Sequence, residues 1–140
     1  MNILIIGGGG REHALAHAIS ISQKCTQLYA SPGNPGISQF ANCLEISYNN
    51  PELIIQTCQD LKIELVVIGP EVPLVSGLAD ALRHHEIAAF GPSAAAARLE
   101  GSKYFARDFC RRYNIPQPAY KRFTNAQKAK EYASIIGPQS

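Results

Sequence analysis

The 140 residues include 46 % hydrophobic and 17 % charged side chains with a formal net charge of +2, a balance that suits a soluble globular protein with room for one full domain and part of another. No apolar run approaches the ~20 residues of a membrane span. The charge is uneven, −4 over residues 1–97 and +6 over residues 98–140. The basic end lacks the interleaved aromatic and glycine pattern of RNA-binding modules, so a polyphosphate ligand or a solvated helix face fits it better than nucleic acid.

A first strand is predicted over residues 2–6, where Ile3, Leu4, Ile5 and Ile6 form a strand-length apolar run. Gly7-Gly8-Gly9-Gly10 follow directly, and glycine lets a backbone turn sharply and approach a ligand with no Cβ in the way. A helix predicted from residue 11 to about 21, with Leu15, Ala18 and Ile19 on one face, presents unpaired N–H groups and a partial positive charge to that loop. The combination reads as a phosphate cradle. It is not a dinucleotide fingerprint. G-x-G-x-x-G laid on Gly7 and Gly9 places its third glycine on Glu12, and no acidic residue ends the second strand.

That second strand is predicted at 27–30, followed by the loop Ser31-Pro32-Gly33-Asn34-Pro35-Gly36 and a short third strand at 44–47. Asn50 caps a helix with Pro51 at its first position, and Ile54, Cys58 and Leu61 form its core face. Residues 64–68 predict an interior fourth strand ending in Gly69-Pro70-Glu71. One helix then carries Leu74, Leu78, Ala81 and Leu82, and residues 87–90 form a fifth strand. Gly91-Pro92-Ser93 leads into an alanine-rich helix that Gly101 stops. Ser102 caps the next helix, which buries Phe105 and Phe109 and ends before Pro116 and Pro118. An extended piece at 120–123 precedes a last helix, capped by Thr124 and bearing Ala129, Tyr132, Ala133 and Ile136, before Gly137-Pro138-Gln139-Ser140. The alternation predicts an α/β fold, a Rossmann-like open parallel sheet. Residues 102–140 have too little apolar surface for an independent domain. The expected division is a Rossmann-like domain over 1–101 and the beginning of a second domain, cut off, over 102–140.

Ligands of open parallel sheets sit outside the carboxyl ends of the strands, which singles out the loops at 7–10, 31–36 and 69–71. Glu71, at a strand end with no basic residue nearby in sequence, suits hydrogen bonding to sugar hydroxyls, or is a plain solvated carboxylate. Lys103 falls in a first helical turn, where the macrodipole disfavours a cation and a phosphate partner would offset this. Lys103, Arg107 and Arg111 at i, i+4 and i+8 also read as a solvated stripe. His13 and His17 share a helix face without an acidic or thiol partner, so no metal site is expected. Cys25, Cys43, Cys58 and Cys110 lie far apart and read as reduced, mostly buried thiols of a cytoplasmic protein. No leader segment is expected before the first strand.

Five segments occur in order: GGGGREHAL at 7–15, SPGNPG at 31–36, GPEVPLV at 69–75, GPS at 91–93 and LEGSK at 99–103. With Asp108-Phe109 and Asn114-Ile115-Pro116, they make essentially the whole chain resemble the N-terminal part of the phosphoribosylamine–glycine ligases, or glycinamide ribonucleotide synthetases. These are ATP-grasp enzymes of de novo purine synthesis. The resemblance implies a pre-ATP-grasp domain followed by the truncated start of an ATP-grasp domain. It implies that ATP, glycine and 5-phosphoribosylamine give glycinamide ribonucleotide, ADP and phosphate. Glycine's carboxylate, too poor an electrophile for an amine, would first become an acyl phosphate, with Mg²⁺ or Mn²⁺ on the transferring group.

By the same resemblance Gly8, Gly9 and Gly10 hold the 5-phosphate, Pro32, Gly33 and Asn34 wall the pocket, Glu71 holds the ribose hydroxyls and Lys103 contacts ATP phosphates. No catalytic or metal-binding residue is expected within the chain. The ATP pocket and metal carboxylates would lie beyond Ser140, so the fragment alone is expected to be inactive. The implied partners are small molecules, not nucleic acid or membrane, and the protein is expected to be a cytoplasmic monomer. Two rivals are another ATP-grasp carboxylate–amine ligase and a non-catalytic Rossmann-like nucleotide-binding module.

Overall fold

The computed structural model describes residues 1–136; Gly137-Pro138-Gln139-Ser140 and the Ile136 side chain lie outside the described residues. In chain order the elements are β1 (Asn2–Gly7), α1 (Gly10–Ser20), β2 (Gln27–Pro32), a 3₁₀ turn (Ile37–Gln39), β3 (Asn42–Cys43), α2 (Pro51–Asp60), β4 (Ile63–Ile68), α3 (Glu71–Val75), α4 (Leu78–His84), β5 (Ala88–Phe90), α5 (Ala94–Gly101), α6 (Lys103–Arg112) and α7 (Ala126–Ile136). The chain separates into two units, Met1–Gly101 and Ser102–Ser140.

In the first unit the strands pair in parallel in the order β3-β2-β1-β4-β5. The apolar runs of β1 and β4 are buried because they serve two cores. Leu4, Ile6, Val66 and Ile68 point to one side and meet Ile54, Cys58, Leu74, Leu78, Leu82 and Ala97. Ile3, Ile5 and Val67 point to the other and meet Ala16 and Ile37. Burying one such side chain is worth about 1.5–3 kcal/mol, so these strands fix the sheet. After β1 the chain builds one side of the sheet (β2, β3), and β4 then returns to β1's other edge. The β1–α1 loop therefore lies where the strand order reverses.

Three elements depart from the sequence expectation. The buried face of α1 is Glu12 and Ala16, with Ile19 half-buried, while Leu15 and Ala18 are exposed; the glycines below make room for Glu12. The helix expected through Leu74 and Leu82 is two helices. Gly77 takes the left-handed conformation (φ 89) and its N–H bonds Leu74 O at 3.0 Å, yet Leu74, Leu78 and Leu82 all stay in the core. The third strand is Asn42–Cys43, paired with Tyr29 and Ala30, not 44–47. Leu44 and Ile46 pack half-buried on the core as loop residues, so their apolar alternation marked packing and not pairing.

In the second unit Ser102 caps α6 as expected, its Oγ accepting the Phe105 N–H at 3.2 Å. Phe105 and Phe109 are half-buried, not buried, because among the described residues this unit encloses no side chain completely; Phe109 stacks instead on Tyr113, ring centres 4.5 Å apart. Residues 120–123 form no strand. Lys121 lies over the Phe123 and Tyr132 rings, and Arg122 over Tyr104. The cap of α7 is Asn125, whose Oδ1 accepts the Lys128 N–H at 3.1 Å, one residue after the expected Thr124. All four cysteines are free, but only Cys58 is buried and Cys43 is exposed. Among the described residues no helix is long and apolar enough to cross a membrane.

Candidate functional site

Two of the three loops singled out in the sequence are bonded to one another at the carboxyl ends of β1 and β2. Gly7, at φ 125, turns the chain out of β1, and its carbonyl accepts the Gly33 N–H at 3.2 Å. Asn34 donates from Nδ2 to Gly8 O at 2.8 Å while its Oδ1 accepts the Ile37 N–H at 2.8 Å. Asn34 thus pins the glycine loop to the 31–36 loop. A Cβ at Gly8 would lie 2.5 Å from Gly33 O, so the contact needs glycine there. Pro32, exposed, also lines a groove with Glu45, Ile46, Ser47, Tyr48 and Asn49.

The three glycines of the expected cradle are not equivalent. The Gly9 N–H donates to Glu12 Oε2 at 2.6 Å, so it is already engaged. The His13 N–H bonds Gly9 O at 3.0 Å, and the earlier amides of α1, those of Gly10, Arg11 and Glu12, have no intrahelical partner. Together with the positive end of the helix dipole they offer a site for an anion.

The third loop is joined to the first by a side chain that sequence reading passed over. Arg11 Nη2 lies 3.1 Å from Glu71 Oε1, with both groups partly exposed. Glu71 is the first residue of α3, not a free loop residue. Its carboxyl is held below the ordinary carboxylate value by a backbone hydrogen bond, then by Arg11, with Glu100 lending a smaller share. Glu71 therefore stays ionised beside the cradle, and it also lines a groove with Val72, Val75, Ser76, Glu100 and Gly101. Glu12 was missed as well, although Gly9-x-x-Glu12 carries half of a capping-box pattern. Lys103, the first residue of α6 and exposed, belongs to the second unit. His13 and His17 pack near the Phe40 ring, at 5.8 and 5.1 Å.

Residues 1–100 match the family described as "Phosphoribosylglycinamide synthetase, N domain". Among curated proteins, the phosphoribosylamine–glycine ligase of Rhizobium meliloti (strain 1021) is 54 % identical over 132 residues, 94 % of this chain and 31 % of the relative. The chloroplastic enzyme of that name from Arabidopsis thaliana is 50 % identical over 130 residues, 91 % of this chain and 24 % of its own. The chain thus spans about a third or less of the length of these relatives. The solved phosphoribosylamine–glycine ligase of Thermotoga maritima superposes with a TM-score of 0.70 at 26 % identity, covering 99 % of this chain and 31 % of that one. The biotin carboxylase domain of a thermophilic 2-oxoglutarate carboxylase, at 17 % identity and a TM-score of 0.65 over 98 % of this chain and 34 % of that one, shares the fold. By its match over residues 1–100, the chain belongs to the phosphoribosylglycinamide synthetase N-domain family.

Proposed function

We propose that this chain is the sugar-phosphate-binding part of a ligase that joins glycine to 5-phosphoribosylamine at the expense of ATP, giving glycinamide ribonucleotide, ADP and phosphate in purine synthesis. The observation that carries the reading is the convergence of the glycine loop, Asn34 and the Arg11–Glu71 pair at the point of strand-order reversal, in a chain of this family. The cradle of Gly8, Gly9 and Gly10, through the open amides at the start of α1, holds the 5-phosphate. Glu71, oriented by Arg11, accepts hydrogen bonds from the ribose hydroxyls, and Pro32, Gly33 and Asn34 wall the pocket. These groups fix the sugar so that its amine meets an acyl phosphate of glycine in a set geometry, and positioning of this kind is a large part of such catalysis.

Lys103, at the start of α6, is the residue proposed for the ATP phosphates, and residues 102–140 for the beginning of the ATP-grasp domain. Among the described residues no three His, Cys, Asp or Glu side chains gather to hold a metal. None of the described residues is assigned to Mg²⁺ or Mn²⁺. The reading extends to a cytoplasmic monomer acting on small molecules; four free thiols suit a reducing compartment.

Thermal-shift titration of the chain with ribose 5-phosphate and with NAD tests the site. Stabilisation by ribose 5-phosphate and not by NAD supports the reading. A reversed preference would replace it with a dinucleotide-binding module.

A further inference from the structure

Glu12 is the one buried charged side chain among the described residues, with 4 % of its surface exposed. The chain makes room for it at the ends of two strands. A Cβ at Gly7 would lie 2.7 Å from the Glu12 Cγ, one at Gly9 2.8 Å from Oε2, and one at Gly69 would collide with Oε1. Oε2 accepts the Gly9 N–H, while Oε1, turned to Gly69 at the end of β4, has no hydrogen-bond partner. Enclosing a carboxylate oxygen with no partner is unfavourable, and its charge acts strongly at short range where water is excluded. The fold carries this penalty at the start of its anion site.

The position explains what the charge does. A dinucleotide-binding loop has its third glycine here, which lets the helix pack closely on the strand beneath the pyrophosphate that its second glycine admits. In this chain the same ground is filled by negative charge. A single phosphate at the Gly10 and Arg11 amides stays at the outer end of the helix. A second phosphate, carried across the loop towards β4, would approach Glu12.

We propose that Glu12 is a specificity-determining residue that restricts the anion site at the start of α1 to a phosphate monoester and rejects diphosphates. The proposal rests on the sugar-phosphate reading above and adds the class of ligand that is refused.

Calorimetric titration of the 140-residue chain with ribose 5-phosphate and with ADP-ribose, which carries the same ribose on a diphosphate, tests it. The unaltered chain should prefer ribose 5-phosphate by about tenfold or more. Glu12→Gln keeps the shape and an acceptor for the Gly9 N–H but removes the charge, and should bring the preference down to about threefold or less by strengthening ADP-ribose binding. Glu12→Asp, which keeps the charge, should retain most of the preference. Equal affinities in the unaltered chain overturn the proposal whether or not any variant folds, and so does an unchanged preference in Glu12→Gln. Loss of the sugar-phosphate reading has a different signature: the unaltered chain binds neither ligand, and the proposal falls with it.

Discussion

At the scale of single residues the pair Arg11–Glu71 is the most accessible handle. Because the folded-state pKa of Glu71 is lowered from its ordinary 4.5, the contact contributes fully above that value and is lost as pH falls through the folded value. Arg11→Ala should raise the Glu71 pKa, measured by carboxyl-carbon NMR titration, and leave the backbone share of the shift in place. If the chain is part of the ligase proposed above, Glu71→Gln in that enzyme should raise the KM for phosphoribosylamine by about tenfold or more, the scale of losing hydrogen bonds to a charged group, with the KM for ATP unchanged. Equal losses for both substrates would mean that Glu71 holds the fold. Burial pushes the Cys58 thiol up to about 11, so at pH 8 a maleimide should modify exposed Cys43 rapidly and Cys58 only on unfolding, as mass spectrometry of digests will show. Glu71 was legible in the sequence as a strand-end carboxylate. Its partner was not, because Arg11 is 60 residues away along the chain and only the parallel pairing of β1 with β4 brings the two loops together.

At the scale of elements, caps and strand-length runs were legible, because their signals are local: Asn50 accepts the Leu53 N–H at 3.1 Å, as its place before Pro51 predicts. Asn50→Ala should lower stability by about 1 kcal/mol in urea unfolding. Gly77→Ala should lower it by about 1–2 kcal/mol, since a Cβ is unfavourable at a left-handed position; no loss would show that α3 and α4 readily merge into one helix. The break at Gly77 was hidden because Leu74, Leu78 and Leu82 keep helical spacing across it. The rotation of α1 was hidden for a different reason. Periodicity ranks side chains by polarity, and the residue that faces inward is a glutamate whose room comes from glycines at the ends of β1 and β4.

For the whole molecule, both hydrophobic cores lie within Met1–Gly101. Residues 1–101 expressed alone should therefore keep a single cooperative melting transition, followed by circular dichroism. Residues 102–140 alone should show none, since a segment of this size without a closed core has little to offset its chain entropy. A cooperative melt of the short piece would make it a domain in its own right. The fold class was legible from alternating strands and helices. The strand order was not, because the sequence marks where strands occur and not which edges they share.

The enclosure of Glu12 also bears on how this protein can change over generations. Positions 7, 12 and 69 share one volume, so drift at any one is constrained by the other two. Gly69→Ala alone meets a carboxylate oxygen, whereas after Glu12→Ala the same change enters vacated space. Among descendants of this sequence, side chains at position 69 should therefore appear on backgrounds where residue 12 has already shortened. The reverse order passes through a poorly folding intermediate.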